Sequence, residues 1–137
     1  MKTEDILAIQ ALLARSAYAL DERHLDMLED TFSQDATLVI DIAGVDGDVR
    51  FAGRDAIMDL MRNSMAEQAD QRRHVITNLF FEKTDADHAT VICNLTITSV
   101  EQGSIRLVTS GLYRDNVARE DGQWRIQGRR IELDMPY

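Results

Sequence analysis

The sequence predicts an α+β fold in which helices come first and long strands follow. Helical patterns occupy the beginning of the chain, a strand pair and a third helix come next, and strand patterns fill the second half. The predicted order of elements is therefore α, α, β, β, α, β, β, β, β. Long antiparallel strands joined by tight turns form a meander, and the helices that precede it need one face of that sheet to cover their apolar sides.

The three helices are recognised by apolar residues that recur at three- and four-residue steps. Residues 3–21 carry such a stripe, and Thr3 is the predicted N-cap. A shorter helix is predicted around Leu25 to Phe32. The third helix opens at Gly53 and runs to about Gln68.

The strands are recognised by β-branched residues bounded by turn residues. They are predicted at Ala36–Ile42, Val49–Phe51, His74–Glu82, Ala89–Val100, Ile105–Val117 and Gln123–Leu133. The strand that starts at Ala89 carries apolar residues on both faces, unlike a sheet with one face in water. One face must cover the helices, and we expect the other to meet a second subunit in a homodimer formed through the sheet face.

Composition limits the kinds of protein that this chain can be. Its 137 residues suit one domain, spanning 1–137, with a sizeable core. A net charge of −9 argues against nucleic acid or an anionic membrane surface as the partner. The single cysteine, Cys93, excludes an internal disulfide and a cysteine-rich metal site. The acidic N-terminus is unlike a signal peptide, and no apolar run approaches a membrane span. A soluble, cytoplasmic protein is expected.

His74 is the first candidate for chemistry because it lies at the mouth of an apolar strand. Alternation from His74 places Ile76, Asn78 and Phe80 on the same face. A core histidine bonded to a backbone group is one interpretation. The other is the base of a buried site, since a neutral histidine in an apolar cavity suits proton transfer near neutral pH. Asn78 could then support either His74 or a ligand.

Asp21 is the best candidate for a partner of His74. A catalytic histidine needs a group that fixes its tautomer and stabilises its cation, and a buried aspartate is the usual choice. Asp21 ends the first predicted helix, where the helix dipole makes an acid unfavourable. A histidine cation would offset that cost. The alternative is an acid that simply faces water.

Two further side chains could bind an oxygen of a substrate. Tyr18 lies one turn before Asp21 and could donate a hydrogen bond, although a core tyrosine is an alternative. Arg129 is opposite in parity to Trp124 and Ile126. If those two pack outward, Arg129 faces the cavity and could bind an anionic leaving group or an enolate; otherwise it is a surface arginine at a strand end.

Other kinds of site lack their signatures. His24 and His88 lie in polar turns, and the three histidines do not have metal-ligand spacing. There is no glycine-rich phosphate loop and no nucleophile elbow. The sequence therefore predicts acid–base chemistry without a cofactor and without a metal.

Six segments of the chain occur in a familiar order: Tyr18–Asp21, Leu28–Ala36, Gly53–Ile57, Arg73–Asn78, Gly111–Asp115 and Asp121–Ile126. Together they resemble the SnoaL-like members of the nuclear-transport-factor-2-like superfamily over nearly the whole chain. The resemblance implies a cone-shaped, curved mixed sheet wrapped around the N-terminal helices and enclosing a pocket, a cystatin-like α+β barrel. That fold hosts dehydratases, isomerases, cyclases, dehydrochlorinases and binding domains.

The resemblance also implies roles for individual residues. In the scytalone dehydratase and hexachlorocyclohexane dehydrochlorinase relatives an Asp–His dyad removes a proton, and that dyad matches Asp21 and His74. Arg129 occupies the place of a pocket arginine, and Tyr18 that of an assisting tyrosine. The second histidine of the dehydratase pattern is absent from Leu107–Gly111, and so is the helix-one lysine of some dehydrochlorinases.

The leading hypothesis is a cofactor-independent lyase or isomerase of the dehydratase type. Its substrate would be small, apolar and oxygenated, with cyclic compounds favoured. The first alternative is a non-catalytic domain that binds small molecules. The second is the small structural subunit of an aromatic-ring dioxygenase, which shares the fold.

Overall fold

The computed structural model describes all 137 residues and contains three helices and six strands. The helices are α1 (Thr3–Asp21), α2 (Leu25–Asp30) and α3 (Arg54–Glu67). The strands are β1 (Phe32–Ile42), β2 (Val49–Ala52), β3 (Gln71–Thr84), β4 (His88–Glu101), β5 (Ser104–Glu120) and β6 (Gln123–Leu133). The predicted order of elements is confirmed. None of the helices has the length and apolar character needed to cross a membrane.

Two helix boundaries differ from the prediction. Helix α1 follows Lys2 with no side-chain cap, so Thr3 is the first helical residue rather than the N-cap. Helix α2 ends at Asp30, and Phe32 already belongs to β1. The reason is tertiary: Phe32 pairs with Ile126 of β6, and the Ile126 amide donates to the Thr31 carbonyl at 2.8 Å. This pairing ends the helix before its apolar pattern does.

All six strands form one sheet in the order β2-β1-β6-β5-β4-β3. The meander β3 to β6 is antiparallel, as predicted, whereas β1 pairs with β6 in parallel. The sheet is therefore mixed, and the predicted α+β class is confirmed. Helix α1 packs on the inner face, where its buried Ile9 and Leu13 join the buried side chains of β4, namely Val91, Cys93, Leu95 and Ile97.

A β-bulge interrupts β3 and changes which side chains face the core. Pairing with β4 shifts between Thr77 and Phe80, and Asn78 adopts a left-handed backbone with φ of 56°. A bulge adds one residue, so the alternation of side chains reverses after it. Leu79 and Phe81 consequently pack on the core, while Asn78 and Phe80 are exposed. The predicted shared face of His74, Ile76, Asn78 and Phe80 is thus wrong beyond Ile76.

A second irregularity lies between β5 and β6. Asn116 pairs with Gly128 and the next residue, Val117, pairs with Ile126, so one residue of β6 is unmatched. As a result Trp124 and Ile126 point inward and are buried. Arg129 is also buried, on the same inner face. The premise that the tryptophan and isoleucine pack outward is wrong, and the inward direction of Arg129 comes from the bulge instead.

Gly111 allows β5 and β6 to approach closely near the end of β6. A Cβ at this position would lie 2.1 Å from the Glu132 carbonyl oxygen and 3.0 Å from the Leu133 Cα. Both neighbours are backbone atoms, which cannot move aside as a flexible side chain can. The absence of a side chain at Gly111 therefore permits the close spacing of β5 and β6, and Tyr113 and Asp115 follow on β5.

Candidate active site

A cavity of about 340 Å³ lies between the helices and the inner face of the sheet. Most of its lining is apolar, including Leu20, Leu28, Phe32, Leu38, Leu95 and Ile97. Besides Tyr113 and Tyr137, six ionisable side chains line it: Asp21 from α1, Arg23 from the turn after α1, Glu67 from α3, Arg72 and His74 from β3, and Arg129 from β6. A mostly apolar cavity with a few convergent polar groups is the usual form of a small-molecule site.

Asp21 and His74 are joined by two hydrogen bonds at one wall of this cavity. The His74 Nδ1 lies 2.6 Å from Asp21 Oδ1, and the His74 backbone amide donates to Asp21 Oδ2 at 2.9 Å. The His74 side chain is 12% exposed and the Asp21 side chain is 6% exposed. A carboxylate only accepts hydrogen bonds, so an ionised Asp21 places the imidazole proton on Nδ1. Nε2, which has no partner in the protein, is then a free proton acceptor.

The end of α1 is held in place for this contact. The side-chain amide of Gln71 donates to the Asp21 backbone carbonyl at 3.0 Å, so β3 binds the helix terminus beside the dyad. Asp21 thus has a direct side-chain partner, His74, at the helix end where an acid is otherwise unfavourable. The structure therefore brings the two predicted residues together.

Arg129 is anchored deeper in the fold by Asp115. Its Nε and Nη2 donate to the two Asp115 carboxylate oxygens, each at 2.8 Å, and its guanidinium lies 4.0 Å from the centroid of the Tyr113 ring. Burial alone would lower the pKa of Arg129, but the charge and hydrogen bonds of Asp115 outweigh it and hold that pKa above its usual range. The arginine is permanently charged, and its Nη1 has no partner in the protein.

Tyr18 and Asn78 lie outside the cavity. Tyr18 is 52% exposed and stacks on the ring of His24, with 6.1 Å between ring centroids. Helix geometry explains this position: Ala17 lines the cavity, and the next residue is turned by about 100° away from it. Asn78 is exposed because of the β3 bulge. The prediction that these two side chains bind substrate in the cavity is corrected on both counts.

A cluster around Arg72 is a feature that the sequence did not reveal. The Arg72 Nε donates to Asp70 Oδ2 at 3.1 Å, and the Ser99 hydroxyl donates to the same carboxylate. These hydrogen bonds, first that of Ser99, hold the pKa of Asp70 below its usual range against the opposing effect of burial. The alternation of side chains along the strand could have identified Arg72, because it lies two residues before His74 and on the same face. Asp115 was likewise missed as the anchor of Arg129.

The remaining reactive side chains do not add a second centre. His24 and His88 are exposed. No group of three or more histidine, cysteine, aspartate or glutamate side chains is arranged to hold a metal ion. Burial raises the pKa of the Cys93 thiol to about 11, which keeps it protonated rather than nucleophilic.

The mixed sheet and its leading helices surround a mostly apolar cavity and present an Asp–His pair inside it, which defines a pocket-bearing α+β protein. The chain belongs to the SnoaL-like domain family, whose pattern matches residues 1–130. The predicted family is thereby confirmed. No curated protein matches the chain.

Solved structures support the fold. A protein of unknown function with a cystatin-like fold from Nostoc punctiforme is 23% identical, with a TM-score of 0.82 over 99% of this chain and 97% of that one. A protein from Novosphingobium aromaticivorans, provisionally described as the β subunit of an aromatic-ring-hydroxylating dioxygenase, is 16% identical, with a TM-score of 0.84 over 99% and 94%. A protein provisionally described as a scytalone dehydratase, from the same organism, is 21% identical, with a TM-score of 0.77 over 96% and 85%.

Proposed function

We propose that this protein is a cofactor-independent lyase or isomerase in which His74 and Asp21 transfer a proton. The observation that carries the proposal is the 2.6 Å contact between His74 Nδ1 and Asp21 Oδ1 inside a mostly apolar cavity. The resemblance to dehydratases is consistent with this proposal. The substrate is small, apolar and oxygenated, with a ring compound best suited to a cavity of this volume.

In the proposed reaction, Nε2 of His74 takes a proton from a carbon next to a carbonyl or next to the carbon that bears the leaving group. The C–H electron pair then forms an enolate or expels the leaving group as a new C=C bond forms. Asp21 holds the imidazole and stabilises the cation that results. A positioned base of this kind contributes about 10²–10⁴ in rate.

Arg129 is the proposed binding group for the oxygen that gains charge. Its permanent charge and its free Nη1 suit an enolate or a departing anion. Asp115 and Tyr113 fix the guanidinium before the substrate arrives, so little reorganisation is needed when the charge develops. The apolar walls strengthen this interaction by excluding water.

The test begins with ligand discovery and ends with matched variants. Small carbonyl-bearing and hydroxylated aromatic or alicyclic compounds are screened by thermal shift, and turnover of those that bind is followed by absorbance or NMR. His74→Ala should abolish turnover while circular dichroism reports a folded protein. His88→Ala removes an exposed histidine outside the cavity and is the control. Turnover that persists in His74→Ala would rule out the dyad as the base.

The first alternative is a binding domain without chemistry. It is favoured by the mostly apolar cavity alone, which would hold a small molecule whether or not the imidazole acts. In that case a ligand found by thermal shift is recovered unchanged, and His74→Gln binds it as tightly as the wild type. The dioxygenase-subunit alternative instead requires that a large catalytic subunit co-purify with this chain.

We further propose a cytoplasmic homodimer formed through the outer face of the sheet. That face carries the exposed side chains of Val75 and Phe80, and a single buried cysteine suits a reducing compartment. Light scattering of the wild type should give twice the monomer mass. Val75→Arg, which places a charge on that face, should give the monomer mass.

A further inference from the structure

Arg72 and His74 enter the cavity from the same wall. They are two residues apart on β3, and each is paired with a buried residue of β4, Arg72 with Ser99 and His74 with Ile97. Side chains two apart on a strand point to the same face, with Cα atoms about 7 Å apart. Both residues line the cavity. A guanidinium therefore stands beside the imidazole of the dyad.

The Arg72 side chain is anchored through Nε, and its two terminal nitrogens are free. Its Nε is bound by Asp70, which Ser99 holds in turn, and its side chain is only 18% exposed. The ring of Tyr137 lies 5.4 Å from the guanidinium carbon. Nη1 and Nη2 make no hydrogen bond to the protein. Two terminal nitrogens in one plane, each with free N–H groups, match the two oxygens of a carboxylate.

The other two arginines of the cavity are more fully occupied. Arg23 donates from Nη2 to the backbone carbonyls of Gln68 and Asp70. Arg129 commits both Nε and Nη2 to Asp115. Arg72 is the cavity arginine that keeps both terminal nitrogens unbonded. Arg72, next to His74, is therefore better suited than Arg129 to bind an anion through a bidentate contact.

We propose that Arg72 forms an anion-binding subsite and that the natural ligand is a small ring compound, apolar except for one carboxylate. The carboxylate lies against Nη1 and Nη2 of Arg72, and the ring lies along the apolar walls. This arrangement makes Arg72 a specificity-determining residue and places the carbon atoms near the carboxylate within reach of the His74 imidazole. That this ligand is the substrate rests on the proposed function, but its binding to Arg72 is measured without any turnover.

The experiment measures binding of matched charged and neutral probes by calorimetry. Benzoate, cyclohexanecarboxylate and 1-naphthoate are each compared with their carboxamides, which have nearly the same shape and no charge. Wild-type protein should bind at least one carboxylate more tightly than its carboxamide. The ring signals of His74 should shift in NMR spectra on binding, which places the probe beside the dyad.

Three variants assign the preference to the guanidinium. Arg72→Met keeps the length of the stem and should weaken carboxylate binding by about tenfold or more, while carboxamide binding stays within about twofold. Arg72→Lys keeps the charge but loses the fork, and it should weaken carboxylate binding severalfold; it decides the question if the methionine variant does not fold. Arg73→Met removes the neighbouring arginine, which is half exposed and bound to Glu22, and should change neither affinity.

Two results would overturn the proposal. One is that no carboxylate binds the wild type more tightly than its carboxamide. The other is that folded Arg72→Met, or folded Arg72→Lys in its place, retains wild-type carboxylate affinity. His74→Ala separates this inference from the proposed reaction, because it should abolish turnover and keep the carboxylate preference. Turnover that survives His74→Ala, together with a preference that Arg72→Met removes, would reject the dyad and retain the anion subsite.

Discussion

Two aspartates in this fold each bind one basic residue through both carboxylate oxygens, but the two pairs differ in what they can do. Asp21 binds His74, whose charge can change, whereas Asp115 binds Arg129, whose charge cannot. Asp115 is fully buried, and Asp21 lies at a helix end on the cavity wall. The proposed function assigns proton transfer to the first pair, whereas the second pair is a fixed charge built into the scaffold.

The largest expected effect comes from breaking the scaffold pair. Asp115→Ala leaves the Arg129 guanidinium buried without a counter-charge, which costs about 3–5 kcal/mol in comparable buried pairs. We expect a loss of this size in the free energy of unfolding, measured with urea, or a failure to fold. A loss below about 1 kcal/mol would mean that water reaches Arg129 and that the pair is not a scaffold element.

The same change in the dyad should affect activity more than stability. Asp21→Asn keeps a side-chain acceptor for the His74 amide but removes the charge that stabilises the imidazolium. Turnover should fall by about 10² or more, while the free energy of unfolding changes by about 1 kcal/mol or less. Single-turnover kinetics and urea unfolding on the same preparation provide both values. A variant that loses stability as severely as Asp115→Ala would erase the distinction between the two pairs.

A steric change at Gly111 should disturb the scaffold pair without touching its charges. Gly111→Ala forces a Cβ against the Glu132 carbonyl oxygen, so β5 and β6 must separate. Overpacking of this kind costs about 1–3 kcal/mol. Ser104→Ala, at an exposed position of the same strand with no side-chain hydrogen bond, is the control and should cost less. Equal melting temperatures for Gly111→Ala and the wild type would contradict the close approach.

The smallest expected effect concerns Asp70 and depends on pH. Because Ser99 and Arg72 lower the pKa of Asp70 in the fold, the unfolded chain binds more protons, and this carboxylate stabilises the fold above its ordinary pKa of about 4. That contribution is lost as pH falls through the lowered pKa. Ser99→Ala should therefore cost about 1 kcal/mol near neutral pH, and its difference from the wild type should shrink in acid. Urea unfolding at several pH values measures the difference, and a constant gap would contradict this origin.

The sequence predicted the elements and the dyad far better than the details of the strands. Apolar periodicity located the helices and the meander, and dipole logic together with the family resemblance singled out Asp21 and His74. Counting alternate residues failed at Asn78 and at Trp124 because it assumes regular strands. β3 and β6 each contain a bulge that reverses the alternation of side chains. Partners such as Asp115 for Arg129 depend on the register between strands, which local pattern alone does not determine.

The backbone hydrogen bond from His74 to Asp21 has a consequence for measuring motion in this protein. Strand β3 is at the edge of the sheet, and the His74 amide is protected by a carboxylate from α1 rather than by a neighbouring strand. Its rate of hydrogen exchange therefore reports how often the helix end separates from the edge strand. Exchange faster than that of the β4 amides would show that the dyad opens in the folded protein, before global unfolding.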